Sequence, residues 1–252
     1  MLAEFTLVLI LYLLWCVGIT GWKLNLIIVC MFYRIPKFFI SILELCYPVL
    51  FRRHIKSVSG KKKIALTFDD VPYANMELIL AKLNEYKMHG TFFVISNYVN
   101  QENSHLLYFA VKTGHQLGNH GSNNSMHALL SSSKLENEIN ECDKLIKLTY
   151  KLSHVPLPTV MVYRPGCGVF NRRVINVAQN NGYVVTLGSV YPHDPIVRSS
   201  LINYYNLISY ISEGDIVILH DRTWTNEYLL DNLLKWMVNN NYESVTVDEL
   251  FK

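Results

Sequence analysis

The chain has 252 residues, half of them hydrophobic and 17% charged, with a formal net charge of +3. That apolar content excludes disorder, 12 glycines exclude a collagen-like repeat, and five cysteines exclude a disulfide-rich scaffold. A charge so small and so dispersed carries no argument for nucleic acid as a partner.

The average hides two unlike parts. Residues 1–51 contain only five charged side chains: Glu4, Lys23, Arg34, Lys37 and Glu44. Residues 5–22 form an uncharged apolar run of 18 residues, the length at which a spanning helix becomes the default reading. A cleaved signal peptide carries positive charge before its apolar run and a small-residue cleavage site after it; here Glu4 precedes the run and Lys23 follows. We therefore read a retained, single-pass membrane anchor in preference to a signal peptide or a buried core helix. The apolar stretches 24–33 and 38–51 read as an amphipathic collar on the bilayer surface, with a second span as the alternative. Residues 1–55 are thus assigned to an anchor and membrane-proximal arm, and residues 56–252 to one α/β domain, since about 200 residues build one core but not two comfortable ones.

Within that domain, short β-branched or aromatic runs alternate with helical patterns. Expected strands cover residues 64–68, 91–95, 116–119, 160–163, 183–188, 216–220 and 244–247. Leu135, Ile139, Cys142 and Ile146 recur at helical spacing behind a capping box of Ser133 and Glu136. Leu229, Leu230, Leu233, Leu234 and Met237 give a second one-sided stripe. Repeated strand–helix units predict a parallel sheet covered by helices, either open or closed into a slightly small, irregular (β/α) barrel. Chemistry in such folds gathers where the strands end. The polar residues there are Asp69 and Asp70, His120, Arg164, Asp194, and His220 with Asp221, spread over five or six strands. His115 lies an odd number of residues before His120 and so faces the other way.

The ordered motifs Thr67-Phe68-Asp69-Asp70-Val71-Pro72, Thr91-Phe92-Phe93, Gly118-Asn119-His120, Arg164-Pro165-Gly166-Cys167-Gly168 and Leu219-His220-Asp221 resemble those of the polysaccharide deacetylase family, also called carbohydrate esterase family four. The run from Leu187 to Pro195 is similar to a chitin deacetylase branch common in fungi. The resemblance implies a (β/α) barrel hydrolase that removes N-acetyl groups from N-acetylglucosamine polymers, with chitin favoured. It also implies a role for each matching residue. Asp69 is the general base, Arg164 holds it, His220 is the general acid and Asp194 tunes it. The Cys167 N–H contributes to the oxyanion hole, and Leu219 walls the acetyl-methyl pocket. Asp70 and His120 are implied ligands of a divalent metal, usually zinc.

The chain departs from that pattern four residues after His120, where the second histidine ligand (an aspartate in the fungal-like branch) is replaced by Asn124. A neutral amide oxygen suits zinc poorly, so Asn124 is a weak ligand and His127 a possible substitute. Milder departures are Val71 for a glycine, Gly166 for a proline and Cys167 for an aromatic. The alternative reading is a catalytically degenerate relative that binds polysaccharide or serves structurally at a membrane. A wall-modifying deacetylase is expected to face the lumen or the exterior. The positive charges on the C-terminal side of the apolar run argue the other way, and the sequon at Asn123 would matter only in a lumen.

Overall fold

The computed structural model describes residues 60–252. The anchor and collar expected in residues 1–55 lie outside the described residues. Among the described residues, no helix is long and apolar enough to cross a membrane.

Seven strands form at or beside the expected places, the last sharing only Ser244 with the expected 244–247: β1 (Lys62–Val71), β2 (Gly90–Val94), β3 (Gln116–Asn119), β4 (Val162–Tyr163), β5 (Val184–Val185), β6 (Ile216–His220) and β7 (Tyr242–Ser244). They pair in parallel in the order β5-β4-β3-β2-β1-β6, and β7 pairs with the first residues of β1. Between them run helices α1 (Met76–Glu85), α2 (Ser104–Lys112), α3 (Ser132–Ser153), α4 (Arg172–Asn180), α5 (Ser200–Tyr210), α6 (Glu227–Asn239) and the short α7 (Val247–Leu250). Strands joined by helical crossovers must be parallel, because each crossover returns the chain to the same end of the sheet.

The sheet curls toward closure without a β5–β6 ladder. After β5 the chain leaves the strand and crosses to β6, where Val190 bridges Val217. Ser189 fastens this crossing, donating its N–H to Ile216 O at 2.9 Å and its hydroxyl to the buried Asp215 at 2.8 Å. Gly188 permits the close approach, since a Cβ there would lie 2.3 Å from Ile218 Cγ1. This crossing explains why β5 is shorter than the expected 183–188.

The helical stripes fall where their spacing places them. Leu135, Ile139, Cys142 and Ile146 on α3 are all buried, as are the five apolar residues of α6. Each fully buried leucine contributes about 1.5–3 kcal/mol of apolar burial. The cap of α3 differs from expectation: Ser131, not Ser133, is the N-cap, its hydroxyl accepting the Lys134 N–H at 3.3 Å. Cys142 is inert, with its thiol buried against Val94 O and pushed up to about 12 by that burial. The last strand ends earlier than expected because Thr246 caps α7.

Candidate active site

The site begins with the way β1 ends. Thr67 and Asp69 share one face of the strand and Phe68 the other, as the two-residue period requires. Asp70 should then point away from Asp69. It does not, because it sits at a bulge within β1: its φ is 61°, and the β1–β2 register slips between Phe68 and Val71. A left-handed residue at a bulge re-aims its side chain, so both carboxylates serve one site.

Asp69 and Arg164 form a buried ion pair, with Arg164 Nη1 at 2.6 Å from Asp69 Oδ1. Arg164 is only 1% exposed. It also donates to Thr67 Oγ1 at 2.8 Å and Thr186 O at 3.1 Å, and lies over the Phe93 ring at 4.0 Å. Groups on β1, on β2 and just after β5 therefore fix one guanidinium. Across the β1–β6 ladder Asp69 pairs with His220. His220 is clamped by buried Asp194, which accepts its Nδ1–H at 2.9 Å and its backbone N–H at 2.8 Å. Burial pulls the His220 imidazole down, but the hydrogen bond and charge of Asp194, with the charges of Asp69 and Asp70, raise it above the ordinary histidine value.

Leu219 is not where the resemblance implied. It is fully buried in the cluster that includes Phe68, Leu229 and Leu233, and it pairs with Phe68. Adjacent strand residues face opposite sides, so the residue sharing the face of His220 is Ile218, half-buried opposite Thr67. Asp221 serves the fold beside the site: its carboxylate accepts the N–H groups of Tyr73 and Asn75 and so fastens the turn after β1.

His120 donates Nδ1–H to Arg164 O at 2.7 Å, which leaves Nε2 facing Asp70 Oδ1 at 3.5 Å. Burial would raise the Asp70 carboxyl. The hydrogen bond and charge of His120, then the charges of His220 and Arg222, outweigh burial and hold it at about 2. The third expected ligand does not converge with these two. Asn124 is exposed in the loop after His120. His127 is committed elsewhere: Nδ1 accepts the Gly166 N–H at 3.0 Å and contacts the Tyr163 hydroxyl at 2.5 Å, while Nε2 faces Glu138 at 3.6 Å. Asp70 Oδ2, moreover, is ion-paired with Arg222. Among the described residues no group of three His, Cys, Asp or Glu side chains could hold a metal ion. The donor set does not fit a zinc centre built on three protein ligands.

Cys167 is exposed, with a left-handed φ of 59°, between Gly166 and Gly168. The glycine at 166 has a local cause. A Cβ there would lie 1.9 Å from Ser125 O, so the turn admits the loop carrying Asn124 only without a side chain. Gly166→Ala is expected to lower the unfolding free energy by about 1–3 kcal/mol, the usual cost of overpacking, as read by urea denaturation. An unchanged value would mean that the 121–126 loop does not pack against the turn.

Two residues of the site were not singled out from sequence. Tyr191 has its ring 5.8 Å from that of His220. Burial, followed by the nearby charges of Asp194, Asp69 and Asp70, raises its phenol, which therefore stays protonated. Its signal was its place in the Leu187–Pro195 run. Arg222 had only its position directly after the last motif.

Residues 56–186 match the family model described as polysaccharide deacetylase. The chain is 33% identical over 204 residues to a peptidoglycan-N-acetylglucosamine deacetylase of Bacillus cereus, covering 77% of this chain and 90% of that one. It is 31% identical over 198 residues to the peptidoglycan-N-acetylglucosamine deacetylase PgdA of Listeria monocytogenes, covering 78% of this chain but only 40% of that protein. The fold matches that of the peptidoglycan deacetylase PdaC from Bacillus subtilis with a TM-score of 0.68 at 28% identity, over 77% of this chain and 92% of that one. These relatives are bacterial and are named for peptidoglycan, so they lend no support to the fungal-type chitin branch. The chain belongs to the polysaccharide deacetylase family.

Proposed function

We propose that the domain hydrolyses the acetamide of N-acetylglucosamine units in a glycan polymer, releasing acetate and leaving a free amine. The observation that carries this reading is the pairing of two supported groups across one ladder. Asp69, held by Arg164, stands in register with His220, held by Asp194. Amide hydrolysis needs a base to take a proton from the attacking water and an acid to protonate the departing nitrogen. Asp69 is the base in this reading, and His220, whose protonated form Asp194 favours, is the acid. The carbonyl oxygen gains negative charge as water adds, and the Cys167 N–H is the donor assigned to it. The donors around Asp70 do not fit a three-ligand metal centre.

The names of the relatives make a peptidoglycan-type glycan strand the first substrate to try, with chitin oligomers beside it. Residues 1–55 are proposed as a membrane tether that keeps the domain on the lumenal or external side, where such polymers lie. Exposed Asn123 would carry a glycan there.

A second reading, glycan binding without turnover, is favoured by Asn124 standing where the family places a charged or imidazole ligand. Acetate and free amine released from peptidoglycan and from chitin oligomers separate the two. Release by the natural chain and none by His220→Ala supports the enzyme. Retention of glycan with no acetate from either polymer supports the binder and overturns the hydrolase.

A further inference from the structure

The guanidinium of Arg222 is held on three sides. Nη2 is ion-paired with Asp70 Oδ2, Nη1 donates to the Asp221 carbonyl at 3.2 Å, and the group lies 4.7 Å from the Tyr73 ring centre. The last distance is within cation–π reach. The Tyr73 backbone is itself fixed, because its N–H donates to the Asp221 carboxylate. The cradle is thus built jointly by the end of β6 and the turn after β1. It leaves the Arg222 side chain 18% exposed. Asp70 is the carboxylate that the family pattern gives to a divalent ion, yet the cation beside it here is part of the chain.

We propose that Arg222 is the resident cation of this site: it occupies the Asp70 carboxylate in place of a divalent metal, and a divalent ion binds only by displacing it. Two cations at one carboxylate repel each other, and a planar guanidinium is well matched to a carboxylate. The neutral Asn124 adds little reward for displacing it. His120 nevertheless keeps Nε2 directed at Asp70 Oδ1, 3.5 Å away, so removing Arg222 leaves an imidazole beside a carboxylate that has lost its counter-charge. The inference concerns the cation alone and stands whether or not the glycan reading is right.

The test is zinc affinity of the full-length chain, measured by competition with a chromogenic chelator and read without any activity assay. Arg222→Met is expected to bind zinc about 10–100-fold more tightly than the natural chain, a change of the size that removing one partner of a metal site produces. Arg222→Lys, which keeps the charge, should stay near the natural value. Adding Asp70→Asn to Arg222→Met should abolish the gain. If Arg222→Met does not fold, Arg222→Gln removes the charge while keeping a hydrogen bond to Asp70, and the same gain is expected. Equal zinc affinity in the natural chain and the neutral variants, or a gain that survives Asp70→Asn, would overturn the proposal.

Discussion

Asp69→Ala is expected to lower the unfolding free energy by about 3–5 kcal/mol, the cost of leaving a buried charge without its partner. Arg164 is the buried charge in question, and among the described residues Asp69 is its only carboxylate contact within ion-pair distance. Burial pulls the guanidinium down from its ordinary value and the Asp69 charge opposes that pull. The remaining bonds of Arg164, to Thr67 and to the Thr186 carbonyl, go to neutral groups. Such bonds, with a charged donor, are worth about 1.5–3 kcal/mol each and do not replace a counter-charge. The double variant Asp69→Ala with Arg164→Met should recover most of the lost stability, because a buried ion pair replaced by apolar groups is often neutral or stabilising. Acetate release should behave differently. If Asp69 is the base, as proposed, its loss is expected to cost about 10²–10⁴-fold in rate, and the double variant should recover none of it. Urea denaturation of the single and double variants beside their rates separates the two roles. If Asp69→Ala were as stable as the natural chain, the pair would not be the buried anchor of the site.

How far the sequence reaches is clearest at particular residues. The strands over 116–119 and 216–220 fall where expected because each is a short buried run closed by a polar residue, and the α3 and α6 stripes hold because burial enforces helical periodicity. Those two strand ends, with β1, place Asp69, His120 and His220 in one site. The Leu219 expectation went astray on the same physics: a strand has period two, so the neighbour of a site residue faces the core. The position of Asp70 depended on a left-handed residue and a register slip, neither of which has a composition signal. The fate of His127 depended on the Gly166 N–H and on Glu138, partners on two other segments of the chain. Arg222 meets Asp70 across 152 residues of sequence, and no local rule links them. Local patterns thus gave the strands and the residues at their tips. The partners that decide what those residues can do came from long-range packing.

Asp194→Asn is expected to move the alkaline limb of the rate profile to lower pH and to cut the rate at neutral pH by about 10²–10⁴-fold. In the proposed reaction His220 must be protonated to give a proton to the departing amine. Burial pulls its imidazole down, and the Asp194 bond and charge lead the effects that lift it above the ordinary value of 6.5. Replacing that carboxylate by a neutral amide removes the lift and leaves the burial, so the protonated fraction falls at every pH in the neutral range. The same shift makes a stability prediction of fixed sign. A histidine raised in the folded state contributes stability that is fully present below its unfolded value of 6.5 and is lost as pH rises through the folded value. Asp194→Asn should therefore destabilise the fold most at acidic pH, and the difference from the natural chain should shrink as pH rises. Rates and denaturation midpoints, each followed from acidic through alkaline pH, test both. A limb that stays in place while the rate falls would show that Asp194 only orients the ring. A stability difference independent of pH would show that it does not raise His220 in the folded chain.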